Sequence, residues 1–186
     1  MELLSYLLRH IKLNSAECDA IDRAFSKQIF AKGTVLAHPD NHRQNVYFSE
    51  KGLSRALYNL DGNAITHYFF DENNFLVSFE SVFFDRPHPY GKQVLEEACL
   101  RAIPYSKLDA LCNSIPAFKD FRLQVSLQVI SMLSEKTLAL QFQTAEQRYK
   151  NMLDKFPGIL LRASLGHIAS YLGITQQTLS VIRAGR

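Results

Sequence analysis

The chain lacks an export signal and any apolar run long enough to span a bilayer. Leu3, Leu4, Leu7 and Leu8 recur at helical spacing but are broken by Glu2, Ser5 and Arg9, so the start reads as an amphipathic helix. A cytoplasmic location with no membrane partner is expected. Cysteine is scarce: Cys18, Cys99 and Cys112 lie far apart, and no CxxC pair exists. That argues against a structural zinc site or an iron–sulfur cluster and for reduced thiols. The histidines are scattered, so no metal or cofactor is expected. Catalytic motifs are missing as well. Asp71, Glu72, Glu80, Glu96 and Glu97 supply carboxylates, and His67 and His88 supply bases, but none falls in a nucleophile or metal motif. Surface charges and strand-face residues account for them, and the chain is not expected to be an enzyme. There is no internal repeat and no low-complexity segment.

What is present is ordinary in amount and uneven in distribution. The 186 residues suffice for one large domain or two small ones, and a 47% hydrophobic content suits a globular fold. The net charge is only +3, yet from Gln143 onward six basic residues face two acidic ones. A near-neutral body with a basic C-terminal end suits an anionic partner.

Residues 1 to about 26 read as helical, with Asn14 or Ser15 placed to cap a second helix through Ala20, Ile21, Ala24 and Phe25, and Glu17 spaced for a capping box with Asn14. From about 28 to 104 the pattern changes to short runs rich in Val, Ile, Tyr and Phe, separated by turn signals such as Ala31-Lys32-Gly33-Thr34 and His38-Pro39-Asp40-Asn41. Asp61-Gly62 is the strongest hairpin signal. Many closely spaced strands imply a sandwich, a roll or a barrel. Tyr68, Phe69, Phe70, Phe75, Phe79, Phe83 and Phe84 either fill its interior or line an apolar pocket.

A short helix is expected over Ser106–Asn113, and Ile115-Pro116 marks a boundary. Beyond it, Ala117 to about Gln143 contains neither Pro nor Gly. Phe118, Phe121, Val125, Val129 and Met132 form one apolar stripe; Leu123, Leu127 and Ile130 form a second. A helix of about 26 residues spans about 39 Å, more than one small domain covers. The two stripes imply two partners, the strand-rich region and a second subunit, and the first stripe is taken as the dimer-helix set. Phe156-Pro157-Gly158 is the next boundary.

The most informative stretch is Ser164 to Arg183. Ser164 caps a helix whose Leu165, Ile168, Ala169 and Leu172 face inward. Gly173 permits the left-handed turn, Ile174 plugs the angle, and Thr175 caps a second helix held by Leu179 and Ile182. The small Ala169 lets the helices approach. Gln176, Gln177, Thr178, Ser180, Val181 and Arg183 are left to face outward. Gln pairs with adenine, Arg with guanine or phosphate, and Ser or Thr with either. This is the layout of a helix-turn-helix, whose second helix enters the major groove. Ser164, Thr175, Gln176, Gln177, Thr178, Ser180, Val181 and Arg183 are the expected DNA contacts.

The whole order resembles the Crp/Fnr family of bacterial transcription factors. The matching landmarks are Phe30-Ala31-Lys32-Gly33-Thr34-Val35-Leu36, Val46-Tyr47-Phe48, Lys51-Gly52-Leu53-Ser54-Arg55, Asp61-Gly62-Asn63, Ala145-Glu146-Gln147-Arg148-Tyr149 and Ile168 to Thr175 with Leu179-Ser180. The C-terminal match looks like the Bacteroidetes-type branch. The resemblance implies an α+β fold: a cyclic-nucleotide-binding-like β-roll sensor domain over 1–116, a dimerisation helix over 117–143 and a helix-turn-helix domain over 144–186. It also implies a homodimer on palindromic double-stranded promoter DNA, with RNA polymerase and a small-molecule effector as further partners. Phe75, Ser78, Phe79, Glu80 and Ser81 correspond to the effector pocket. Family members that bind cyclic AMP carry a Gly-Glu-Leu element and an Arg-Ser or Arg-Thr pair; here Asn74 to Ser81 and Pro89-Tyr90-Gly91-Lys92 stand instead. Without that arginine a cyclic-nucleotide response is not expected, Arg86 and Lys92 being the available substitutes. Val181 replaces an arginine common in relatives and suits a thymine methyl. The chain stops soon after Arg183, so the usual wing hairpin is missing or was cut off. The competing reading is a ligand-binding or protein-interaction module of this fold that no longer reads DNA, which Val181 and the absent wing favour.

Overall fold

The N-terminal helical stretch divides in two. In the computed structural model, which describes residues 1–37, 45–78 and 90–185, α1 is Leu3–Leu7 and α2 is Ser15–Ala24. The Asn14–Glu17 capping box forms as the spacing predicts: the Glu17 amide donates to Asn14 Oδ1 at 2.9 Å, and the Asn14 amide donates to Glu17 Oε2 at 2.8 Å. A box in mid-stretch starts the second helix where the sequence places it.

Eight strands follow among the described residues: β1 Ser26–Phe30, β2 Val35–Ala37, β3 Asn45–Lys51, β4 Ser54–Leu60, β5 Asn63–Phe70, β6 Phe75–Leu76, β7 Gly91–Val94 and β8 Ala98–Pro104. They form two four-stranded antiparallel sheets, in the orders β1-β8-β3-β6 and β2-β7-β4-β5. Leu36, Tyr47, Leu76, Val94 and Leu100 pack between them. The hairpin predicted at Asp61-Gly62 joins β4 to β5, with both residues at positive φ (51° and 82°), as a tight hairpin turn requires. The His38–Asn41 turn and Phe79, Glu80, Ser81, Phe83, Phe84, Arg86, His88 and Pro89 lie outside the described residues.

The helices α3 (Tyr105–Ser114) and α4 (Pro116–Phe142) come next. Pro116 sits in the first turn of α4, where a missing amide hydrogen costs nothing. The 27 residues of α4 run about 40 Å. Its first stripe begins inside the chain's own core rather than on an open face. Phe118 and Phe121 are buried with Leu3, Leu7, Ile21, Phe25 and Phe48, and Val125 packs on the same cluster. Val129 borders a cleft against the roll, and Met132 meets the C-terminal helices. Aromatic side chains near the start of α4 have the N-terminal helices within reach, so they fill the chain's own core. The second stripe is the uncovered one: Leu123, Leu127 and Ile130 are 60%, 55% and 63% exposed.

The C-terminal helices are α5 Ala145–Lys155, α6 Ile159–Arg162, α7 Leu165–Leu172 and α8 Gln176–Arg183. They dock on the roll. Leu53, Tyr68, Phe69 and Leu95 form one buried cluster with Met152, Phe156, Ile159, Ile168, Ala169, Leu172 and Leu179. Phe69 therefore fills a junction between two units rather than the roll interior, with its ring 5.9 Å from Phe156 and 5.1 Å from Tyr171.

Candidate nucleic-acid interface

The α7–α8 pair is built from local signals. Ser164 Oγ accepts from the His167 amide at 3.2 Å and caps α7. Ile168, Ala169 and Leu172 are buried. Gly173 closes the helix at φ 68°, ψ 37°, a left-handed conformation that a side chain disfavours. Thr175 Oγ1 accepts from the Thr178 amide at 3.1 Å and caps α8, while Leu179 anchors α8 at 0% exposure. The start of α8 lies close to a residue the sequence reading passed over. A Cβ on Gly166 would stand 3.2 Å from Gln176 Nε2, so a side chain there would make the exposed end of Gln176 shift slightly.

This leaves Gln176, Gln177, Thr178, Ser180, Val181 and Arg183 exposed on one short helix, with Thr175 exposed at its cap and Ser164 exposed at the start of α7. The outer face is polar apart from Val181, which is 51% exposed. An eight-residue helix that is capped at its N-terminus, anchored by one leucine and polar outside can enter a groove end-on.

The basic C-terminal end contributes less free charge than its composition suggests. Arg148 donates to the Leu172 and Gln143 carbonyls at 3.0 and 2.7 Å, tying α5 to the end of α7. Lys155 lies 5.4 Å from the Tyr68 ring centre. Arg162 is held by Glu72 and Glu96 of the roll at 2.7 and 2.6 Å. These two bridges raise the Arg162 pKa, Glu96 first. Glu72 is opposed by burial, but Arg162 and the Gly52 amide more than offset it and hold its carboxyl below the usual range.

Further contacts fix the pair to the roll. Ser170 Oγ accepts from the Thr66 amide at 3.1 Å and donates to the His167 carbonyl at 2.9 Å. Lys136, on α4, donates to the His67 carbonyl and lies 4.7 Å from the centre of the Tyr171 ring. Burial first, then the charge of Lys155, lowers its pKa to about 8. Burial pushes Tyr171 up to about 12. Lys136, Arg162 and Ser170 were not singled out from sequence, because their partners in the roll are 66 to 104 residues away.

The expected effector pocket is represented by Phe75 and Ser78. They border a cleft of about 180 Å³ between the roll and α4, with Tyr68, Phe70, Val77, Tyr90, Lys92, Val129, Met132 and Leu133. Lys92 is buried and donates to Ser78 Oγ, and the His67 and Tyr90 rings stack 4.8 Å apart. Phe79, Glu80 and Ser81 lie outside the described residues. Among the described residues no group of acidic, histidine or cysteine side chains is placed to hold a metal ion, and no helix is long and apolar enough to cross a membrane.

No family model matches the chain. Curated relatives do. It is 26% identical to the fumarate and nitrate reduction regulatory protein of Vibrio cholerae, over 95% of this chain and 75% of that protein. It is 25% identical to the anaerobic regulatory protein of Haemophilus influenzae, over 95% and 73%. In fold it is similar to FixK2 of Bradyrhizobium japonicum (TM-score 0.75, 17% identity, covering 87% of this chain and 83% of that one). It is also similar to a putative transcriptional regulator of the Crp/Fnr family from Eubacterium rectale (TM-score 0.72, 14% identity, 93% and 83%). Relatives in sequence and neighbours in fold agree: the chain is similar to curated anaerobic regulatory proteins over most of its length and shares the fold of Crp/Fnr-family regulators.

Proposed function

We propose that this chain is a cytoplasmic, DNA-binding transcriptional regulator that works as a homodimer on palindromic promoter DNA and does not answer to cyclic AMP. Residues 1–116 form its sensor domain, 117–143 its dimer helix and 144–186 its DNA-binding domain. The observation that carries the reading is α8, which is anchored by Leu179 and presents Gln176, Gln177, Thr178, Ser180, Val181 and Arg183 outward. Gln176 and Gln177, in its first turn, reach base edges. Val181 meets a thymine methyl, and Ser164, Thr175 and Arg183 engage phosphates.

Dimerisation uses Leu123, Leu127 and Ile130, whose exposure on a helix of this length is otherwise unexplained. Two copies then present two α8 helices to successive major grooves, and RNA polymerase is the further partner. The cleft beside α4 takes an apolar or aromatic effector, because aromatic and aliphatic side chains make up most of its wall and Lys92 is already engaged by Ser78.

The test is fluorescence anisotropy with DNA from upstream of the gene against a scrambled duplex, at two salt concentrations, with and without cyclic AMP. Selective binding that weakens with salt and ignores cyclic AMP is expected. A large enhancement by cyclic AMP contradicts the effector reading, and a lack of selectivity favours an interaction module.

A further inference from the structure

The roll and α7 meet around a cleft of about 290 Å³ walled by Lys32, Arg55, Gln93, Arg162, Ser164 and His167, among others. Among the described residues no carboxylate residue lines it. Arg55 is 5% exposed, yet its guanidinium reaches only neutral partners: Gln93 Oε1 at 2.8 and 3.1 Å and Thr66 Oγ1 at 3.0 Å. Among the described residues no acidic side chain pairs with it, or with Lys32. Arg162 differs, since Glu72 and Glu96 compensate it. A guanidinium taken out of water without an opposite charge is costly, so the wall formed by Arg55 and Lys32 is electrostatically incomplete. The facing wall is incomplete in a matching way, because His167 Nδ1 is buried and has no hydrogen-bond partner among the described residues.

We propose that this cleft binds a phosphate-class dianion, which bridges Lys32 and Arg55 of the roll to His167 of α7. A tetrahedral dianion matches the need on both walls. Its oxygens accept from the guanidinium edge and the ammonium on one side and from a protonated imidazole on the other. The cleft has room for about ten waters at bulk density, enough for a phosphate with a small substituent. Burial, then Arg55 and Lys32, now hold the His167 pKa down, and an anion between them reverses the last two influences. Because the anion touches both units, its binding strengthens their docking.

The test is a nitrogen-15 NMR titration of the histidine rings in the full chain at constant ionic strength, with the His167 signal assigned from His167→Gln. Inorganic phosphate is the first probe and ribose 5-phosphate the second, each balanced against sodium chloride. A saturable His167 shift and an upward move of its titration midpoint are expected. Lys32→Ala, an exposed position, should weaken binding about fivefold while leaving the phosphate-free melting temperature unchanged. Arg55→Lys should weaken it too and keep the charge. Equal affinities for the two probes mark free phosphate as the occupant, and tighter binding of the ester marks a phosphate monoester. A shift that never saturates, that sodium chloride reproduces, or that is unchanged in Lys32→Ala overturns the proposal. No DNA is present, so the outcome is separate from that of the DNA-binding test.

Discussion

Lys136 joins three parts of the molecule through one side chain. It extends from α4, donates to a carbonyl of β5 and lies over Tyr171 of α7. Its ammonium is kept largely from water, and its folded pKa of about 8 lies below the ordinary 10.5. Between those values the unfolded chain holds the proton longer than the folded one, so this group's contribution makes stability rise with pH. Urea denaturation at pH 7.5 and 9.5 should show a gain on the order of 2 kcal/mol from it, lost in Lys136→Met. An equal pH slope in the variant contradicts the assignment. Nothing near Lys136 in the chain marks it as special, whereas Ser164, Gly173 and Thr175 were legible as caps and turn. Caps depend on neighbours within four residues, and Lys136 depends on a carbonyl 69 residues away.

At the scale of elements, the C-terminal helices α5 to α8 are held to the roll by a buried apolar cluster and by Arg162 of α6 on two carboxylates. Arg162→Ala leaves Glu72 and Glu96 facing an apolar junction without their cation. A cost of about 1–2 kcal/mol follows, since these pairs are only partly buried. The loss should appear as a lower melting temperature and faster proteolysis near Pro157-Gly158. Glu72, whose carboxyl is held below the usual range, contributes stability that is present above about pH 4.5 and fades as pH falls through its folded value. The same melting temperature in Arg162→Ala and the unaltered chain contradicts the latch. The strands, the hairpin at Asp61-Gly62 and the limits of α4 followed from period and turn residues. Which stripe of α4 faces inward did not, because both are apolar and amphipathicity alone cannot rank them. The N-terminal helices decide it by covering Phe118 and Phe121.

At the scale of the whole molecule, α4 is the only described helix with a row of uncovered aliphatic side chains along most of its length. Leu127→Glu places a charge in the middle of that row, where it touches nothing in the chain's own core. Sedimentation should then show a monomer that melts near the temperature of the unaltered chain, with DNA affinity reduced by at least an order of magnitude, because two half-sites are no longer held together. A dimer that persists in Leu127→Glu places the interface elsewhere.

The central claim is that α8 of two joined copies reads sequence. Selection from a random duplex pool tests it most directly, run with the unaltered chain and with the Gln176→Ala, Gln177→Ala double variant. The account predicts enrichment of a two-fold palindrome with half-site centres about 34 Å apart, one helical turn, and its loss in the double variant. No enriched site, or the same site enriched by both proteins, contradicts it.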